Sequence, residues 1–61
     1  MKLKRGTKFI HKHWLDSNNQ PLMCEVTRVS LGLVYWKQPG ERKAHHYFRL
    51  EEAEKYVKSL Q

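Results

Sequence analysis

Turn-forming residues punctuate this chain so often that its first fifty positions have room for little besides short strands. Gly6 comes first, the polar run from Leu15 to Pro21 second, Ser30-Leu31-Gly32 third and Gln38-Pro39-Gly40-Glu41-Arg42 fourth. The pieces between them carry strand chemistry. Thr7 to Trp14 (TKFIHKHW) is rich in β-branched and aromatic residues, with Phe9 and Ile10 facing opposite ways. Leu22, Cys24 and Val26 alternate with Met23, Glu25 and Thr27, the period of two that marks a half-buried strand. Leu33-Val34-Tyr35-Trp36-Lys37 resumes directly after Gly32, which predicts a β-hairpin. Pro39-Gly40 favours a type II turn, and a fourth strand is expected to end at Phe48. Strands are predicted over about 7–14, 22–29, 33–37 and 43–48.

From Leu50 the period changes from two to about 3.6. Leu50, Ala53, Val57 and Leu60 then share one face, with Tyr56 at its edge, and a short amphipathic helix is predicted over about 50–60. Glu51/Lys55 and Glu54/Lys58 are spaced to pair along it, each pair stabilising by about 0.2–0.5 kcal/mol. With 61 residues the chain has room for one core, so a single domain over 1–61 is expected. The fold class is mainly β with one helix (α+β): a four- to five-stranded antiparallel meander bent into a small barrel and capped by the C-terminal helix.

Gly6-Thr7-Lys8-Phe9, Cys24-Glu25-Val26-Thr27-Arg28-Val29 and Leu33-Val34-Tyr35-Trp36 give the chain a fold-level resemblance to the SH3-like barrels of the Tudor and KOW kind. The resemblance covers about half the chain. It implies a binding module, since such barrels take nucleic acid, modified peptides or other proteins. The acidic and aromatic cage of a methyl-lysine reader is not evident.

Charge divides the chain in two. The first fifty residues hold ten Lys/Arg against three acids, a net of +7, and the last eleven hold two against three, a net of −1. A basic, aromatic-rich body suits a phosphate polymer. Lys8, Lys12, Arg28, Lys37, Arg42, Lys43 and Arg49 are the expected phosphate contacts, and Trp14, Trp36 or Tyr47 the expected base-stacking surfaces, with Tyr35 among the interleaved aromatics. Trp14 and Trp36 have a second reading as core anchors, and the lysines one as a solvated face. Glu51, Glu52 and Glu54 would repel phosphate, which predicts one binding side and one blank side. No RNP signature or recognition helix chooses between DNA and RNA.

The remaining chemistry-bearing residues are sparse. His11 and His13, two apart on a strand, would project from one face and with Cys24 and His45 or His46 make a conceivable zinc set, but no metal-finger spacing is present and no metal or cofactor is expected. Asp16/Glu25 and a Cys24/His pair lie in no catalytic spacing, so no enzyme is expected. Cys24, as the only cysteine, excludes an intrachain disulfide and reads as a small buried hydrophobe in a reducing, cytoplasmic setting. Neither a membrane span nor a signal peptide is visible. The alternative function is a protein-interaction adaptor, of the sort by which a small phage or mobile-element protein binds a host factor, and an edge-paired homodimer is a third possibility.

Overall fold

Alternation decides where each strand lies. The structure, a computed structural model, describes residues 2–60. It contains β1 (Lys8–Leu15), β2 (Pro21–Ser30), β3 (Leu33–Lys37), β4 (His46–Arg49) and β5 (Val57–Leu60), with a 3₁₀ helix over Leu50–Lys55. All neighbours are antiparallel, in the order β4-β3-β2-β1-β5, and the sheet curls into a half-barrel. Phe9, Cys24, Val26, Val34, Trp36 and Phe48 point inward from the first four strands, and Leu3, Leu22, Ala53 and Val57 complete the core. Phe9 lies at its centre, fully buried, its ring meeting Trp36 at 5.8 Å and Phe48 at 6.0 Å, both edge to face. Burying a side chain of that size contributes roughly 1.5–3 kcal/mol, a large share of what so small a domain can muster.

Each turn is built by the residues that announce it. Asp16 holds the β1–β2 connection: its carboxylate accepts the backbone N–H of Asn18 at 2.8 Å and of Gln20 at 2.9 Å. Leu31 and Gly32 both have positive φ, 52° and 76°, the type I′ geometry that matches the twist of two hairpin strands. Gln38 to Glu41 is the expected type II turn, with Gly40 at φ 88° and the Glu41 N–H donating to the Gln38 carbonyl at 3.1 Å. β4 begins only at His46, because Arg42, Lys43 and His45 are exposed and offer the sheet no apolar face.

The C-terminal segment departs from expectation. No α-helix forms over 50–60, and the fold is therefore nearly all β rather than α+β; the chain makes the six-residue 3₁₀ helix and then β5, which pairs with the otherwise free edge of β1. The apolar spacing suited a helix, but only Ala53 and Val57 are buried, while Leu50 and Leu60 are 40% and 41% exposed. An eleven-residue helix recovers too little of its nucleation cost unless its whole stripe is covered, whereas a strand satisfies the β1 edge at once. The acids follow the tighter winding: Lys55 Nζ bonds Glu52, three residues back, at 2.9 Å rather than Glu51. The 3₁₀ helix also carries the chain from one sheet edge, β4, to the other, β5, and the Leu50 N–H anchors it by donating to the Gly32 carbonyl at 2.8 Å. Among the described residues no helix is long and apolar enough to cross a membrane.

Candidate nucleic-acid interface

Residues opposite the core-facing positions form the outer face of the sheet. Cross-strand register places Arg28 beside Tyr35 and Tyr35 beside Tyr47, with Leu33 beside Arg49 in the next row. The Arg28 guanidinium lies 4.5 Å from the centre of the Tyr35 ring, a cation–π contact, and the Tyr35 and Tyr47 rings are 6.0 Å apart. A further row runs Lys8, Glu25, Lys37 across three strands, two lysines flanking one carboxylate. Lys8, Arg28, Lys37, Tyr47 and Arg49 of the expected interface thus share one side, all exposed but Lys37, which is half-buried. A bulge at Thr27 creates this arrangement. Val26 faces Trp36 and Arg28 faces Tyr35, so the extra residue turns Arg28 outward while Val29 returns to the core. Tyr35 lies on the same face as Tyr47 but half-buried beneath Arg28, and its outward direction follows once Trp36 is taken as the core residue of β3.

The other expected contacts lie elsewhere. Trp36 is 3% exposed and presents no free ring face, its indole N–H buried without an acceptor. Lys12 turns toward the 3₁₀ helix, where its ammonium donates to the Glu54 carbonyl at 3.3 Å. Arg42 and Lys43 are exposed in the β3–β4 connection. The acidic segment is not wholly blank, since the Glu51 carboxylate lies 3.8 Å from Arg49 at the rim of the basic face.

Trp14 stands at one end of the half-barrel, in a cluster of aromatic and imidazole rings. β1 bends there: its pairing with β2 shifts between Ile10 and Leu15, and the backbone N–H groups of His13 and Trp14 both donate to Nδ1 of His11, at 3.0 and 3.2 Å. This side-chain acceptor replaces lost ladder partners, and it fixes His11 as the tautomer protonated on Nε2 when neutral. Burial holds the His11 pKa below the usual imidazole value, with the nearby His13 and His46 acting in the same direction. Trp14 stacks on the His11 ring at 4.7 Å and 20°, and meets Trp36 and His46 edge-on, each at 5.3 Å. Trp36 in turn stacks on His46 at 4.5 Å. The same bend separates His11, buried, from His13, exposed, although alternation puts them on one face. His13 instead donates from Nε2 to the Lys55 carbonyl at 2.8 Å.

Cys24 stays apart from these imidazoles. It lies in the core, beside a separate depression bordered by Lys8, Met23 and the Lys37–Glu41 turn, and burial pushes its thiol up to about 12, with Glu41 adding to the effect. Among the described residues no group of three or more His, Cys, Asp or Glu side chains is placed to hold a metal ion. No protein-family model, curated protein or solved structure matches the chain.

Proposed function

We propose that the protein is a non-catalytic nucleic-acid-binding barrel whose outer face holds the phosphate backbone. The observation that carries this reading is the row Arg28–Tyr35–Tyr47 with Arg49 and Lys37 beside it, which combines cations and stackable rings on one exposed side. The strand order β4-β3-β2-β1-β5, with a 3₁₀ helix leading into β5, supports an SH3-like assignment for the half-barrel. A cytoplasmic setting fits a core that holds one free thiol. The reading is tested by titrating labelled DNA and RNA at several salt concentrations. Affinity is expected to fall steeply with salt, and Arg28→Ala or Arg49→Ala to flatten the log–log slope by about 0.7–0.9 each. Absence of salt-dependent binding to either polymer would sink it.

A second reading, the protein-interaction adaptor of a phage or mobile element, is favoured by Leu31. It is 99% exposed at the tip of the β2–β3 hairpin, in a backbone conformation that leucine disfavours. The adaptor reading predicts capture of a host protein that survives moderate salt and is lost in Leu31→Asn; retention by the variant counts against it.

A further inference from the structure

We propose that the depression at the Trp14 end of the half-barrel takes one unpaired base of a strand whose phosphates lie on the outer face, so that the protein prefers single-stranded DNA or RNA to duplex. This rests on the nucleic-acid reading above. Trp14 is 40% exposed although its indole stacks on the His11 ring and lies steeply inclined to the rings of Trp36 and His46. Part of the indole therefore stays open to solvent, and the two bonds to His11 Nδ1 hold the backbone beneath it. A flat ring, fixed in direction and partly open to solvent, offers a base a surface to stack on.

Continuity with the basic face comes from Tyr47, which lies against Tyr35 on the outer side and also borders the depression. A strand leaving Arg28 and Arg49 reaches Trp14 by passing Tyr47. The depression has a volume of about 330 Å³ and is lined by aromatic and imidazole side chains; the Glu41 carboxylate beside it lies 3.4 Å from His46 Nε2 and accepts the Gln38 N–H at 2.7 Å. Arg42 and Lys43 lie exposed in the connection that leads to His45 on its border. A base within a duplex is stacked on both faces and must be unpaired at a cost of a few kcal/mol before it can enter, which gives the preference its origin.

The test compares four probes of about ten nucleotides: a labelled single strand as DNA, the same as RNA, the DNA duplex, and the DNA strand carrying abasic sugars. Fluorescence anisotropy at fixed salt is expected to show the intact strands binding about tenfold tighter than the duplex or the abasic strand, the factor one stack supplies. Trp14→Ala should erase that advantage and Trp14→Phe keep part of it, while Arg28→Ala weakens binding to every probe alike. Equal affinity of the unaltered protein for intact and abasic strands overturns the base site and leaves the phosphate-binding face standing, and this comparison needs no variant to fold. An undiminished single-strand preference in a folded Trp14→Ala protein overturns it as well. Failure of the unaltered protein to bind any probe overturns the underlying reading and the base site together.

Discussion

Leu31 carries a local conflict between backbone and side chain. A type I′ turn asks for φ above zero at both central positions, which Asn-Gly satisfies and Leu-Gly does so only with strain. Leu31→Asn is expected to raise stability by about 0.5–1 kcal/mol, measured as a higher denaturant midpoint with an unchanged slope. His11 gives a second residue-scale prediction. Its imidazole is surrounded by Trp14, Trp36, Tyr56, His13 and His46, and burial holds its folded pKa below the ordinary imidazole value of 6.5. The unfolded chain therefore takes up the proton first as pH falls. The His11 contribution to stability is full above about 6.5 and declines below it until the folded value is reached. Urea midpoints should drop across that window, and His11→Gln should flatten the drop. His11 itself was legible as a strand histidine, but not as a backbone acceptor: two N–H groups converging on Nδ1 depend on a bulge that no composition or spacing announces.

Among the elements, the β2–β3 hairpin and the type II turn after it were written plainly in Gly32 and Pro39-Gly40, because positive φ and a fixed proline φ are properties of single residues. The last element was not. Leu50, Ala53, Val57 and Leu60 satisfy a helical period, and nothing local reveals that β1 has an edge still to be paired. Tertiary demand overrode periodicity. Val57, β-branched and following the exposed segment, was the one contrary sign. Ser59 now separates the two descriptions experimentally, since it lies opposite Ile10 on an exposed strand. Ser59→Val should stabilise the protein by a few tenths to about 1 kcal/mol through a cross-strand apolar pair, where in a helix it would do the reverse. Thermal denaturation of the pair of proteins reads the sign. The interface was partly legible for the same reason as the hairpin. Strand parity groups Lys37 with Tyr35, and Tyr47 with Arg49, whereas Lys12 and Trp14 lie beyond the point where β1 loses its register.

For the molecule as a whole, the charge division becomes a division of surfaces. The basic side is the outer face of the sheet, and the acidic segment is the link between its two edges, meeting the basic side where Glu51 approaches Arg49. That link has a kinetic consequence. β5 joins β1 by pairing Phe9 with Leu60, 51 positions apart, while every other strand pair is a hairpin between sequence neighbours. Closing so long a loop is the most entropically costly contact in the topology, and it gains its return only after the meander has formed. Substitutions in β5 should then speed unfolding and leave the refolding rate nearly unchanged, a separation that the two arms of a chevron measure directly. The strand that closes the sheet last acts as its latch, and how long the protein stays folded is set there rather than in the hairpins that form first.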